Sequence, residues 1–198
     1  MPFRSSTIVL VLLCSLSVMA GCSDTAPPSP SPPVRTAADP APEKPAPAAV
    51  AGAERQSFDG MGFVIPADWE KVPLSQFQMG IISARFQMPE AGSEVTLTLS
   101  RSGGGLEANL DRWRGQFQQS RPEVMDSISV AGTDATWIDL EGQYSDSFRG
   151  VTHSDWRMIG IIVPLPEQAY FLKLLGPKDE VAAVEADFRS FAESGQIQ

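Results

Sequence analysis

The sequence predicts an α+β domain, a mainly antiparallel sheet of about six or seven strands carrying two main helices. Two observations make that prediction. Short runs alternate apolar and polar residues with a period of two, as Val95, Leu97 and Leu99 do in EVTLTLS. That pattern marks strands with one buried face in an antiparallel sheet, where a parallel sheet would bury both. Two longer segments space their apolar residues at helical intervals instead: Leu106, Leu110, Trp113 and Phe117 in one, Val181, Val184, Phe188 and Phe191 in the other.

Taken in order, MGFVIP (61–66) puts Met61, Phe63 and Ile65 on one side and is ended by Pro66, which has no N–H for a ladder. IISARFQMP does the same with Ile82, Ala84, Phe86 and Met88 before Pro89, and EVTLTLS (94–100) follows. After SGGG the spacing predicts a helix over 106–119, with Glu107, Asp111, Arg112, Arg114 and Gln118 off its apolar stripe. VMDSISV (124–130) and TDATWIDL (133–140) read as a hairpin turning at Ala131-Gly132. EGQYSDSFRGVTHSD has no useful period and is read as a long exposed loop over 141–155. WRMIGIIVP and AYFLKLL form a further strand pair joined by LPEQ. In the closing helix, DEVAAVEADFRSFAES, Asp179 and Glu180 favour the positive dipole end and Gly195 stands where a C-terminal cap belongs.

Composition bounds the function. A chain of 198 residues has room for one domain of ordinary size, and 42% hydrophobic with 20% charged residues excludes a multi-span membrane protein. Its net charge of −9 repels phosphate backbones, so nucleic acid is not an expected partner. Both cysteines, Cys14 and Cys22, precede the domain, which therefore has no disulfide, thiolate nucleophile or cysteine-based zinc site. A single histidine, His153, excludes any site needing two imidazoles. No cofactor and no metal are implied.

Residues 1–21 have the order of a signal peptide: Arg4, an apolar core at 8–19, then Ala20 and Gly21. The core is too short to cross the ~30 Å hydrocarbon layer comfortably. Met19-Ala20-Gly21-Cys22 resembles the bacterial lipobox, with methionine where leucine is commoner. The resemblance implies that the mature chain starts at Cys22 and that fatty chains on this residue hold it to a membrane, each buried CH₂ contributing about 0.8 kcal/mol. Ser23, where inner-membrane lipoproteins often carry aspartate, implies an outer membrane facing the periplasm if the cell has one. The alternative is ordinary cleavage with Cys22 left as a stray thiol, a reactive liability.

Residues 22–53 carry nine of the seventeen prolines, with alanine and valine as the apolar side chains after Cys22. Such a segment has nothing to bury, and at ~3.1 Å per residue it reaches on the order of 90 Å. It is read as a tether, in preference to a docking site for proline-recognition modules. The globular domain is assigned to 54–198.

GFVIPADWE, GGGLEANLDRWRGQF and a finish of hairpin, GP and helix make the domain similar to the PsbP-like α/β/α sandwich, over about residues 58–194. Within that group it is similar to bacterial lipoproteins that carry the same glycine run followed by Asn109, Arg112-Trp113 and Gln116-Phe117. The photosynthetic members help retain calcium and chloride at the oxygen-evolving centre. No ligand set in this sequence matches that activity.

Several residues invite chemistry and are weighed against plainer roles. Gly103, Gly104 and Gly105 before a helix could cradle an anion, but the lysine-serine pair of a nucleotide loop is missing and a tight turn explains them. Asn109 and Arg112 could recognise a partner or simply fix the loop and pair with an acid. Asp146, His153 and Asp155 are the nearest approach to a metal or acid–base cluster, and solvated side chains are the plainer reading. Ser145 and Ser147 lack an oriented base, Asp139 and Glu141 read as exposed acids, and Trp69, Trp113, Trp137 and Trp156 read as packing. The expectation is a non-enzymatic, membrane-anchored module that binds another envelope protein. The GGG turn and the 141–155 segment are the expected contact surfaces; a small-molecule or cation ligand is the alternative, and an unrecognised hydrolase, with Asp146, His153 and Asp155 as its one visible site, is the third reading.

Overall fold

The computed structural model describes residues 54–147 and 149–198. The signal peptide (1–21), Cys22 and the tether to residue 53 lie outside the described residues. Along the chain run β1 (Glu54–Phe58), β2 (Met61–Ile65), β3 (Glu70–Lys71), a 3₁₀ turn (Gln78–Gly80), β4 (Ala84–Met88) and β5 (Gly92–Ser102). Then come α1 (Leu106–Arg114), β6 (Phe117–Gln119), β7 (Val124–Val130), β8 (Thr133–Asp146), β9 (Val151–Pro164), β10 (Ala169–Pro177), α2 (Lys178–Glu193) and β11 (Gln196–Ile197). Every strand pairing among them is antiparallel. The large sheet has the order β3-β4-β5-β10-β9-β8-β6, with β7 also paired to β8, and a small sheet has the order β1-β2-β11.

Strand parity puts an apolar core on each face of the large sheet. Tyr170, Leu172 and Leu174 of β10, with Ile159, Ile161 and Val163 of β9, face α2 and pack against Val181, Val184, Phe188 and Phe191. The small sheet joins this core through Phe63, whose ring stacks on Phe191 at 4.7 Å. Ala169 and Phe171 of β10, Met158 and Ile162 of β9 and Ile138 and Leu140 of β8 face the other way, under Leu110 and Trp113 of α1. The central strands are thus buried on both faces. β5 is buried on one: Val95, Leu97 and Leu99 are inaccessible, while Thr96, Thr98 and Ser100 remain half-exposed on the α1 face.

Two expectations are corrected. The first helix ends at Arg114, not at 119: the Gly115 N–H closes the last turn on the Asp111 carbonyl at 2.9 Å, and Phe117–Gln119 leave the helix to pair with Gly142–Tyr144. Phe117 continues the helical spacing by coincidence, packing on Tyr144 at 5.2 Å as a strand residue, and Leu106 is 43% exposed. The stretch 141–155 is not a long loop. β8 runs to Asp146 and β9 starts at Val151, which leaves a short turn. At the register shift between Gly142 and Tyr144 the partner β9 spends one extra residue, so that His153 and Trp156, three apart, share a face and the alternation is broken on the β9 side. Gly142 is required at the shift: its φ is +149°, and a Cβ would lie 2.2 Å from the Gln118 carbonyl oxygen of β6. The Ala131-Gly132 turn is as expected, with φ of 54° and 74°. β1, β3, β6 and β11 are short strands that the pattern does not reveal.

Candidate functional site

The α1 face of the sheet gathers cations on a chain that is acidic as a whole. Cross-strand register places Arg85 of β4, Thr98 of β5, Lys173 of β10 and Gly160 of β9 in one row. Neighbouring strands lie about 4.8 Å apart, so Arg85 and Lys173 stand roughly 10 Å from each other across a threonine. Lys173 is half-buried. Its Nζ donates to Gln116 Oε1 at 2.7 Å and lies 5.4 Å from the centre of the Tyr144 ring. The Arg112 guanidinium sits 5.9 Å from the centre of the Phe171 ring, beside Lys173.

The β8–β9 hairpin adds an aromatic wall. Tyr144 and Trp156 are parallel at 5.5 Å, and His153 stacks on Trp156 at 3.9 Å. At its tip Arg149 Nε lies 3.8 Å from Asp146. The charges act on one another. Burial first, then repulsion from Arg112, pushes the Lys173 ammonium down to about 8, with Asp146 opposing. Burial and then repulsion from Arg149 lower Arg85. Burial and then the Asp146 charge raise Tyr144. The cluster therefore holds Arg85, Arg112, Arg149 and Lys173 against Asp146, and an arriving carboxylate would relieve repulsion already present.

The opposite face shows what satisfied cations look like. Arg157 holds Asp139 in a two-pronged contact at 2.9 and 2.8 Å and also reaches Glu185 at 2.8 Å. Arg121 bridges Asp139 at 2.8 Å and Glu141 at 2.9 Å. Asp139 is 5% exposed, which corrects its reading as an exposed acid.

Of the residues singled out from sequence, Arg112, Asp146 and His153 come together in this cluster. Asp155 points elsewhere, 3.6 Å from Lys178 at the start of α2. Gly103, Gly104 and Gly105 form the turn into α1. There Gly104 takes φ +98°, and Asn109, 3% exposed, donates from Nδ2 to the Gly105 carbonyl at 3.0 Å. Asn109 thus fixes the turn. Among the described residues no carboxylate pairs with Arg112, no hydrogen bond joins His153 to an acid, and no three His, Cys, Asp or Glu side chains converge. Beside the glycine turn a shallow cleft of about 300 Å³ runs from Gly104 and Leu106 to the β9–β10 turn, with Glu167 the one ionisable residue described in its lining.

Sequence reasoning missed Arg85 and Lys173; it placed Tyr144 and Arg149 in a contact segment without singling them out, read Trp156 as packing, and gave Gln116 no role. A signal existed for two of them. Lys173 interrupts AYFLKLL, and Arg85 lies between Ala84 and Phe86, so each is a cation inside an otherwise apolar strand.

A sheet with one helix on each face is the PsbP-like α/β/α sandwich, an α+β fold. The chain is similar to the solution structure of cyanobacterial PsbP (CyanoP) from Synechocystis sp. PCC 6803, at 13% identity and a TM-score of 0.50. That likeness spans 79% of this chain and 98% of that one. It extends to the fold alone. LpqN, involved in cell envelope biogenesis of Mycobacterium tuberculosis, is a looser match at 14% identity and a TM-score of 0.37, over 74% of this chain and 86% of that one. No family model matches the sequence, and neither does any curated protein.

Proposed function

We propose that this chain is a non-enzymatic, lipid-anchored module of the cell envelope whose PsbP-like domain binds an acidic segment of a partner protein on its α1 face. One observation carries the reading: among the described residues Arg85, Arg112, Arg149 and Lys173 gather on one face of a chain whose net charge is −9, with Asp146 the carboxylate that faces Arg149 and Lys173. Such a patch is complementary to carboxylates and steers their approach. The aromatic wall of Tyr144, Trp156 and His153 supplies apolar contact beside the charges. The lipobox-like Met19–Cys22 and the proline-rich tether support the location, holding the domain near a bilayer while leaving it free to meet a partner.

A photo-crosslinking residue in place of Thr98, between Arg85 and Lys173, tests the contact in intact envelopes. The expected adduct is with an acidic envelope protein, and Lys173→Met or added salt removes it. Lys173 is charged below about pH 8 and neutral above, so the adduct should fade as pH rises through that value, where a lysine at 10.5 would hold it. No adduct at Thr98, or one unchanged in Lys173→Met, contradicts the reading.

A further inference from the structure

The loop between β3 and β4 has a surface of a different kind. From Val72 to Ala84 the chain has no ionisable side chain, and the first charges on either side, Lys71 and Arg85, are basic. Phe77, Met79 and Ile81 are 68, 61 and 52% exposed, the three most exposed large apolar residues described apart from Ile197 at 61%. The loop meanwhile satisfies several of its own backbone groups. The Ser75 N–H donates to Gln78 Oε1 at 3.0 Å while the Gln78 N–H donates to Ser75 Oγ at 3.3 Å, and the Met79, Ile81 and Ile82 N–H groups donate to the Ser75 and Gln78 carbonyls at 2.8 to 3.0 Å. Its base is fixed: the Ser83 N–H donates to the Leu99 carbonyl at 2.7 Å, and the Ser83 hydroxyl donates to the Asp59 carboxylate.

We infer that this loop dips into the bilayer interface, with Met79 and Ile81 entering among the acyl chains. A lipid surface is the occupant that these features favour. Backbone polar groups satisfied internally lower the cost of leaving water, and in this loop the Ser75, Gln78, Met79, Ile81 and Ile82 N–H groups are so satisfied. An uncharged apolar tip also gives an acidic domain a contact that does not depend on attraction to anionic headgroups. The location rests on the anchored reading, because a tether ending at Glu54 keeps the domain at high effective concentration beside the membrane and lets a weak contact persist.

The test is the full-length chain carrying Met79→Trp, mixed with phosphatidylcholine vesicles whose acyl chains are brominated, at lipid in large excess. Flotation of the unsubstituted chain separately reports attachment. The expected result is a blue-shifted emission from the introduced indole, quenched by the brominated lipid and insensitive to salt. The emission of the unsubstituted chain should stay unchanged, and adding Ile81→Glu should abolish the quenching. A chain that floats with the introduced indole unquenched overturns the loop inference and leaves the anchor standing. Quenching without flotation supports the loop and removes the anchor, and neither signal removes both. Emission from that indole that shifts with protein concentration in the absence of vesicles assigns the loop to a second copy of the chain and overturns the inference. A shift seen solely with an added envelope protein assigns the loop to that partner and overturns it equally.

Discussion

Asp139 and Lys173 are both ionisable residues in β-strands of one sheet, and their surroundings give them opposite fates. Burial alone would raise Asp139, but the hydrogen bonds and charges of Arg157 and Arg121 outweigh it and hold the carboxyl below its ordinary 3.8. A folded-state value below the unfolded one contributes stability that is complete above the unfolded value and is lost as pH falls through the folded one. Asp139→Ala should therefore cost about 3 kcal/mol at neutral pH, at the low end for breaking a buried pair because Arg157 keeps Glu185. The variant should also lose much of the acid sensitivity below pH 3.8. Urea midpoints measured from neutral to acid pH check both statements. Lys173 has a hydrogen bond and a ring beneath it but no carboxylate in ion-pair contact among the described residues. Its charge is a cost to the fold, and that cost supports the proposal that Lys173 serves binding.

At the scale of elements, α1 is seated by a missing side chain. A Cβ at Gly160 would lie 2.3 Å from the Trp113 ring, which packs edge-on to Phe171 at 5.9 Å. Gly160→Ala should lever the indole out and cost about 1–3 kcal/mol. Pairing it with Trp113→Leu should cost less than the sum of the two single changes, a coupling read from denaturant midpoints. Most of the elements were legible because their patterns report burial directly. α2 buries Val181, Val184, Phe188 and Phe191 as its spacing requires, and β2, β4 and β5 bury the alternating residues. The failures share a cause. Phe117 lies on the helical stripe by spacing, yet Gly115 ends the helix and a ladder to β8 claims the residue, a long-range competition that no local window contains. In the β8–β9 hairpin the buried face is carried near the tip by the isolated Tyr144 on β8, and the extra residue on β9 opposite it breaks that strand's alternation, so no clear period shows in the sequence. The cationic row stayed hidden for the same reason: Arg85 and Lys173 are brought together by the order β4-β5-β10, which is a property of topology.

At the scale of the whole molecule, the α2 face is closed. α2 and the small sheet cover it, and its buried Asp139 is matched by arginines. The α1 face is partly open, with hydroxyls and an excess of cations beside a short helix. This asymmetry gives the sandwich a structural side and a side suited to contact, and a leash from Cys22 would let that side find its partner without releasing the chain. Both proposed contacts rest on the leash. Mass analysis of the peptide Cys22–Arg35, released by trypsin from the chain purified out of envelopes, tests it directly. The account predicts an N-terminal cysteine with a thioether-linked diacylglycerol on its sulfur. A bare Cys22, or a mature chain that begins after it, would contradict it.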